Sequence, residues 1–368
     1  MPTKILFGQA CVLNNSILLK AFGKKAMLVT GKHSAKHNGS QEDVISALST
    51  EGIDYIIYDQ VMSNPTSECC YEGAKMAIEH QVDFIIAIGG GSPMDAAKGM
   101  ALLAKQEINQ KQLFNGEYIA DALPIIAIPT TAGTGSEVTQ YAILTNDLIE
   151  SKTGIATEAI FPKIAFVDAR YMNQLPPTTT INTAIDALSH AIEGILSIRA
   201  SVVSVTLAYK SIEHFSECMV PLLHVKQSNS IETMTLKERE SLANCSTLAG
   251  MVIAQTGTTI VHAMGYSLTY FKSIDHGRAN GLLLAEYLEL VEKDEPQTVE
   301  AILRVMGLKS VHGFRRFMGK LLGIRETIID EEMHQFSEKA IHTGNMNNCR
   351  IKPKKEAVVA MYKAAFNE

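Results

Sequence analysis

The sequence lacks the features that mark secreted disulfide scaffolds, zinc fingers and membrane proteins. Its six cysteines include one adjacent pair and no C-x-x-C spacing, which favours a reducing compartment over a disulfide framework. The most apolar region, residues 242–265, carries too many Asn, Ser, Thr and Gln side chains for a lipid-facing span. In the N-terminal segment Gly8 and Gln9 interrupt a short apolar stretch, so no signal peptide is expected. We therefore expect a cytoplasmic protein.

An excess of basic residues is also missing. The chain has 33 Lys plus Arg against 39 Asp plus Glu, a net charge of -6. Nucleic acids and anionic membranes are bound through clustered Lys and Arg, so neither is an expected partner. A small molecule is the expected partner. With 368 residues, 46% of them hydrophobic, the chain is long enough for about two domains.

Residues 1–176 alternate short β-branched runs with stretches of helical spacing. Five runs predict buried parallel strands: AMLVT at 26–30, DYIIYD at 54–59, DFIIAIGGG at 83–91, PIIAIPTT at 124–131 and IAFVDAR at 164–170. Helical spacing is found at 67–80 and 93–105. Alternation of this kind predicts an α/β domain with a doubly wound, mostly parallel, Rossmann-like sheet.

The sequence pattern changes from alternating strands and helices to helical periodicity at the prolines Pro176 and Pro177. Residues 177–368 have helical periodicity in almost every segment, which predicts an all-α domain with helices at 180–198, 201–217, 236–254, 258–271 and 280–291. The cleft between the two predicted domains is the expected ligand site.

A glycine triplet follows the predicted strand at 83–88. Gly89, Gly90 and Gly91 permit positive φ and close approach of a phosphate, and a helix N-terminus just beyond supplies free N–H groups. We expect Ser92 to be the N-cap of that helix, with Asp95 completing a capping box. The pattern is not G-x-G-x-x-G, and a well-capped turn without a ligand is the alternative.

A second polar loop, PTTAGTGSEVT at 129–139, follows the next predicted strand. The carboxyl ends of neighbouring parallel strands form the ligand edge of an open α/β sheet, so its hydroxyl groups could bind ribose and phosphate.

The residues after strand 26–30 bear on cofactor choice. A carboxylate there would bind the ribose hydroxyls of NAD and repel a 2′-phosphate. This chain instead continues Gly31-Lys32, with Lys36 close by. The pattern favours NADP(H) over NAD(H), and a solvated basic loop is the alternative.

Four potential metal ligands lie in the second half. Asp186 and His190 are at i and i+4, on one helical face, a spacing that alone is weak. His262 lies in a strongly apolar segment, and His276 precedes a glycine at a predicted helix start. One carboxylate with three imidazoles suits Fe, Zn, Ni or Mn, and the ligand types do not choose among them.

The motifs GGGSPMDAAK, IPTTAGTGSEVT, DALSHAIEG and HAMGYSLTYFKSIDHG, in this order and spacing, resemble the iron-containing (group III) alcohol dehydrogenase family, which has the dehydroquinate synthase-like fold. The resemblance covers essentially the whole chain. It implies a dinucleotide-binding domain at 1–176, a helical metal-binding domain at 177–368, Fe2+ or Zn2+, and reversible reduction of aldehydes or ketones. It also implies a homodimer or larger homo-oligomer.

The resemblance implies roles for individual residues. The metal ligands would be Asp186, His190, His262 and His276. The pyrophosphate would be bound by Gly89, Gly90, Gly91 and Ser92, with Asp95 near the nicotinamide amide. The ribose and phosphates would be met by Thr130, Thr131, Thr134, Ser136 and Lys152. Gly31 and Lys32 match members suited to NADP(H).

One residue departs from the family pattern. Many members carry a proton-relay histidine one turn after the third ligand, and this chain has Tyr266 there. A phenol is a poorer base at neutral pH than an imidazole. Tyr266 and the ligand His276 are nevertheless the predicted catalytic side chains. Tyr141 and Ile253 match substrate-pocket positions, and the isoleucine suggests an apolar pocket for a small or medium aldehyde.

Three alternatives are open at this stage. A sugar-phosphate cyclase of the same fold would need more Lys and Arg near the metal helices. A non-catalytic nucleotide sensor would not need four metal-compatible residues. A dedicated reductase of a functionalised aldehyde, such as lactaldehyde, a semialdehyde or a phosphonate aldehyde, is compatible with every motif.

Overall fold

The computed structural model describes residues 1–232 and 234–366. The chain divides into two units, Met1–Gln174 and Leu175–Glu368. Within the predicted helical domain at 177–368, residues 233, 367 and 368 lie outside the described residues.

A parallel six-stranded sheet forms the centre of the first unit. Its strands, in chain order, are β1 (Lys4–Phe7), β2 (Lys25–Thr30), β3 (Asp54–Tyr58), β4 (Phe84–Gly89), β5 (Ile125–Pro129) and β8 (Ile164–Val167). The order across the sheet is β1-β8-β5-β4-β2-β3, and all neighbours run parallel. The predicted α/β class and all five predicted strands are confirmed.

Both faces of this sheet are covered by apolar side chains. The helices of this unit are α1 (Cys11–Asn14), α2 (Ser34–His37), α3 (Ser40–Glu51), α4 (Ser67–Glu79), α5 (Gly91–Leu103) and α6 (Gln110–Asn115). Along β4, Ile85 and Ala87 pack in one core with residues of α4 and α5. Phe84, Ile86 and Ile88 pack in the other core with residues of α1 and α3. Successive strand side chains point to opposite faces, so the continuous apolar run fits a sheet buried on both sides.

The sequence did not predict three strands. Edge strand β1 is only four residues long and is paired to β8. The other two, β6 (Tyr141–Asn146) and β7 (Ser151–Ala156), form an antiparallel hairpin outside the main sheet. Their polar, alternating composition is typical of a half-exposed hairpin and gives a weaker signal than a buried parallel strand.

The second unit is helical, as predicted. Its helices are α7 (Pro177–Ile195), α8 (Val202–Glu217), α9 (Met219–Ser228), α10 (Leu236–Thr256), α11 (Ile260–Lys272), α12 (His276–Glu292), α13 (Pro296–Val305), α14 (Val311–Leu322), α15 (Asp330–Ile341) and α16 (Lys355–Phe366). Helix α7 is buried along most of its length, which leaves few of its polar side chains in water. Such side chains need partners inside the protein.

Two further features concern the chain as a whole. Among the described residues, no helix combines the length and apolar character needed to cross a bilayer. All six cysteines are free thiols.

Candidate active site

Three helices of the second unit bring the four predicted metal ligands together. Asp186 and His190 lie one turn apart on α7, His262 is in the first turn of α11, and His276 is the first residue of α12. From Oδ1 of Asp186, the Nε2 atoms of His262 and His276 are each 3.7 Å away and that of His190 is 4.0 Å away. One ligand atom each from Asp186, His190 and His262 fall within 4.8 Å of one another.

The imidazole rings of this cluster pack against one another. His190 and His262 are stacked with ring centroids 4.6 Å apart, and His262 meets His276 edge-on at 5.1 Å. Asp186, His190 and His262 are at most 4% exposed, whereas the side chain of His276 is 25% exposed. The donors therefore converge on a point where three of the four side chains are buried and that of His276 is partly exposed. This donor set fits a divalent transition metal.

The electrostatics of Asp186 agree with that fit. Burial by itself raises the pKa of the carboxyl, but the imidazoles of His190, His276 and His262 and the amide of Asn280 outweigh it. The net pKa lies below its usual value, so the carboxylate is charged and able to act as a ligand at neutral pH.

A close helix contact sets the position of His276. A Cβ atom at Gly277 would lie 1.9 Å from the backbone oxygen of Asn182 on α7. Only glycine lets α12 begin this near to α7. Asn182 also donates from Nδ2 to Asp275, the residue before His276, at 2.7 Å. The start of α12 is thus held beside Asp186 from two directions.

Two further buried side chains belong to this cluster and were missed by the sequence analysis. Glu193 contacts Nδ1 of His262 through a short hydrogen bond. Burial raises the pKa of Glu193, but its contacts with His262 and Thr259 bring the net pKa below the usual value. Asn280 donates from Nδ2 to Asp186 at 3.0 Å. Helical spacing was the available signal, because Glu193 follows His190 by three residues and Asn280 follows His276 by four.

Tyr266 also lies beside this cluster of histidines. Its ring is nearly parallel to that of His276, with an interplanar angle of 14° and centroids 5.9 Å apart, and the residue is 9% exposed. Ile253 is buried on α10, next to Val252, whose side chain occupies the space a Cβ of Gly194 on α7 would need. A role for Ile253 in a substrate pocket stays a prediction.

In the first unit, the two predicted cofactor loops pack against each other. A Cβ atom at Gly90 would lie 2.9 Å from Oγ1 of Thr131, and one at Gly91 would lie 2.6 Å from Cγ2 of Thr134. Gly89 has a positive φ of 153° and accepts a hydrogen bond at its carbonyl from the N–H of Thr130 at 2.9 Å. The glycines therefore allow the loops to meet at the carboxyl ends of β4 and β5.

The predicted N-cap is wrong. Helix α5 begins at Gly91, so its N-cap is Gly90, and no side chain caps it. The extended backbone of Gly90 supplies the cap conformation, and Ser92 is already helical. Ser92 Oγ instead accepts from the backbone N–H of Asn64 at 3.2 Å. Lys152 donates to Oδ1 of the same Asn64 at 2.6 Å, so this missed residue links two predicted cofactor ligands.

Asp95 also makes different contacts from those expected of a capping box. Its Oδ1 accepts from the hydroxyl of Ser136 at 2.8 Å, and its Oδ2 accepts from the N–H of Ile143 at 3.1 Å. Burial raises the pKa of this carboxyl, against the opposing charge of Lys98. Asp95 therefore ties helix α5 to the second loop and to strand β6.

A buried lysine completes this junction. Lys98 is 0% exposed. Four acceptors lie within hydrogen-bond distance of its Nζ and share its three N–H groups: the backbone oxygen and the hydroxyl of Ser136, both at 2.7 Å, Oγ1 of Thr139 at 3.1 Å and the backbone oxygen of Tyr141 at 2.7 Å. Burial lowers its pKa to about 8. The sequence analysis missed Lys98, although it lies three residues after Asp95.

The residues predicted to choose the cofactor lie at the end of β2. Gly31 is half-buried, and a Cβ there would approach the backbone oxygen of Val61 to 3.3 Å. Lys32 is exposed. Lys36 is paired with Asp59 at 2.7 Å, and Asp59 directly follows the neighbouring strand β3. A carboxylate just after the neighbouring strand thus pairs with Lys36, whereas the sequence analysis considered only β2.

Known proteins resemble the whole chain. Residues 2–169 match the family described as iron-containing alcohol dehydrogenase, and residues 180–366 match its C-terminal family. A 1,3-propanediol dehydrogenase of Citrobacter freundii is 29% identical over 94% of this chain and 92% of its own length. An NADPH-dependent butanol dehydrogenase of Clostridium saccharobutylicum is 31% identical over 84% of this chain and 77% of its own.

A solved structure agrees with the sequence matches. An iron-containing alcohol dehydrogenase from Thermotoga maritima superposes with a TM-score of 0.91 at 35% identity, covering 100% of this chain and 99% of that one. The likeness therefore extends over both units.

Proposed function

The chain belongs to the iron-containing alcohol dehydrogenase family, and from that premise we propose that it transfers hydride between NADP(H) and a small alcohol or aldehyde. It is an oxidoreductase of this class, with a potential metal site. The convergence of Asp186, His190 and His262 within 4.8 Å carries the proposal. We assign His276, 3.7 Å from Asp186, as the fourth ligand. Fe2+ is the proposed metal, and Zn2+ suits the same donors.

When bound, the metal supplies positive charge that polarises a substrate carbonyl. The surrounding side chains would hold the metal. Asp186 would offset part of that charge, and the stacked rings of His190 and His262 would each present one nitrogen donor to the metal. The partial exposure of His276 supports substrate entry on that side.

Tyr266 is the proposed proton donor. A phenol is a weak base, so at neutral pH this side chain type is better suited to donating a proton than to accepting one. Its position against His276 supports this role in aldehyde reduction. Oxidation of the alcohol would require the reverse transfer to a weakly basic group, and we expect it to be favoured at higher pH.

The cofactor is proposed to bind to the first unit as a dinucleotide-binding domain, with the second unit as the metal-binding domain. Close contact between the glycine triplet and Thr131 and Thr134 supports a pyrophosphate site there. We retain the predicted set and add Asn64, because it contacts both Ser92 and Lys152. The set is Gly31, Lys32, Asn64, Gly89, Gly90, Gly91, Ser92, Asp95, Thr130, Thr131, Thr134, Ser136 and Lys152.

Preference for NADP(H) rests on the basic residues at the end of β2. Gly31 leaves no carboxylate on that strand to repel a 2′-phosphate, and exposed Lys32 is available to pair with one. Lys36 can contribute to the extent that the phosphate competes with Asp59 for it. The similarity to the NADPH-dependent butanol dehydrogenase of Clostridium saccharobutylicum supports this preference.

The substrate, location and assembly complete the proposal. Tyr141 and Ile253 are the proposed pocket residues for a small or medium aldehyde. Free thiols at all six cysteines support a reducing, cytoplasmic compartment, and a homodimer or larger homo-oligomer is the proposed assembly.

The test is NADPH oxidation by protein loaded anaerobically with Fe2+, over a panel of short and functionalised aldehydes, with NADH in parallel and a chelator-treated control. We expect metal-dependent turnover with the higher kcat/KM for NADPH. Equal turnover after metal removal would contradict the metal assignment. A higher kcat/KM for NADH would contradict the cofactor preference.

A further inference from the structure

Glu193 is a fully buried carboxylate whose two oxygens have different partners. Oε1 accepts from the N–H and hydroxyl of Thr259 at 2.9 and 2.6 Å, and from the N–H groups of Val261 and His262 at 3.1 and 3.4 Å. Oε2 contacts Nδ1 of the His262 ring. A buried carboxylate surrounded only by such donors is well satisfied.

The hydrogen bonds to Oε1 cap the N-terminus of helix α11. Thr259 is the N-cap of α11, and its own side chain makes no capping hydrogen bond within the helix. Glu193, on α7, accepts from the N–H groups of Val261 and His262 in the first turn of α11 in its place. A carboxylate at this end also favours the helix dipole. Helix capping therefore accounts for the contacts of Oε1. It does not account for the contact between Oε2 and the ring of His262.

We propose that Oε2 of Glu193 sets the tautomer and ring orientation of His262. A carboxylate only accepts hydrogen bonds, so Nδ1 of His262 carries the proton. The lone pair of Nε2 then faces Asp186, 3.7 Å away, where the metal of the proposed function would be held. This is the arrangement in which a second group fixes a metal-ligating histidine. Glu193 is thus a positioning residue, and the assignment rests on the proposed metal site.

The substitution Glu193→Gln separates the two roles with little change of shape. If the amide oxygen faces the end of α11, the amide N–H points at Nδ1 of His262, which must then accept. The ring proton moves to Nε2, the atom that should bind metal. If the amide turns over, its N–H groups face those of Thr259 and Val261, and the cap is lost. Neither arrangement preserves both contacts.

The matched control is Thr259→Val. It removes the hydroxyl contact to Oε1 and leaves the Oε2 contact to the ring. Zn2+ affinity is measured by competition with a chromophoric chelator at fixed pH, alongside thermal unfolding. We expect Glu193→Gln to weaken Zn2+ binding by roughly 10- to 100-fold. Thr259→Val should lower thermal stability and leave the Zn2+ affinity within roughly twofold of wild type.

A second readout does not depend on metal. Correlation of ring nitrogens and protons in 15N-histidine-labelled, metal-free protein reports the tautomer of His262, assigned by comparison with His262→Ala. We expect Nδ1–H in wild type and in Thr259→Val, and Nε2–H in Glu193→Gln. An Nε2–H tautomer in wild type overturns the assignment even if Glu193→Gln fails to fold.

The other possible outcomes also test the role of Glu193 or the proposed metal site. Equal loss of Zn2+ affinity in both variants would reduce Glu193 to a helix cap and overturn the inference, as would wild-type affinity in Glu193→Gln. Failure of wild-type protein to bind Zn2+ at all would refute the proposed metal centre instead, and the tautomer of the metal-free protein would still test the Glu193–His262 contact by itself.

Discussion

Asn280 donates a hydrogen bond from Nδ2 to Oδ1 of Asp186 at 3.0 Å. The same nitrogen lies 3.1 Å from Nε2 of His262 and 3.3 Å from Nε2 of His276. One amide thus contacts three of the four proposed ligands. A Cβ at Gly265 would lie 2.3 Å from Oδ1 of Asn280, so this glycine makes room for the amide.

Replacing Asn280 should therefore affect stability and metal binding together. In Asn280→Leu, the buried carboxylate of Asp186 loses a donor, which should cost about 1–3 kcal/mol in metal-free protein. Zn2+ should recover part of this by neutralising the carboxylate. Urea unfolding with and without Zn2+ measures both effects. Asn345→Leu is the control, because Asn345 donates to Thr258 at 2.6 Å rather than to a ligand. An identical response to Zn2+ in the two variants would refute this role.

The ligand assignment can be tested with a matched pair of histidines. His190 and His334 each follow an aspartate by four residues, but the His334 pair with Asp330 is exposed. We expect His190→Ala to lose most bound metal and turnover, because it removes one donor of a buried cluster. His334→Ala should retain both. Metal content after dialysis and NADPH binding by fluorescence are measured for each. Loss of NADPH binding with metal retained in His190→Ala would contradict the assignment.

Cofactor preference should respond to charge at the ends of β2 and β3. Asp59→Asn frees Lys36, so the NADPH Kd should fall roughly two- to fivefold, the effect expected of an exposed ion pair. Gly31→Asp should raise the NADPH Kd at least roughly tenfold, about 1.4 kcal/mol, by repelling the 2′-phosphate. NADH binding is the internal reference. The control Glu51→Gln removes a carboxylate that pairs with Lys20, and it should change neither the NADPH Kd nor the NADH Kd. A constant NADPH to NADH ratio across all three variants would remove these residues from cofactor selection.

Lys98 should give a distinctive pH dependence of stability. Its pKa is about 8 in the folded protein, against an ordinary 10.5. Between these values the unfolded chain binds the proton and the folded protein does not. Stability attributable to this group is therefore fully present above pH 10.5 and is lost as the pH falls through 8. Urea unfolding between pH 7 and pH 10 should show wild type gaining up to about 1.4 kcal/mol per pH unit relative to Lys98→Met. Parallel curves would contradict the lowered pKa.

Local pattern predicted the main elements of the fold. Continuous β-branched runs such as residues 84–88 could only be satisfied by burial on both faces, and they are strands. The helix start at His276 was also predicted correctly. The N-cap at Ser92 was wrong, because a serine and a glycine can both be N-caps and the choice depends on which partner the serine hydroxyl finds in the folded chain. Ser92 meets Asn64, which is distant in sequence.

Short-range spacing also brought together part of the candidate site. Asp186 and His190 share a face of α7 because they are one turn apart, whatever surrounds them. Joining them to His262 and His276 required the resemblance to a known family, since periodicity alone does not select three histidines among eleven.

The sequence by itself therefore determined the element types, the α/β and all-α halves and the ligand pair on one helix. These depend on local patterns, which are continuous apolar runs in the buried strands and a repeat of about four residues in the helices. Tertiary structure decided which residue partners which. Glu193 reaches His262 because α7 packs beside the start of α11. Lys36 meets Asp59 because β2 and β3 are neighbours in the sheet. Such contacts depend on packing between distant segments, which no local pattern encodes.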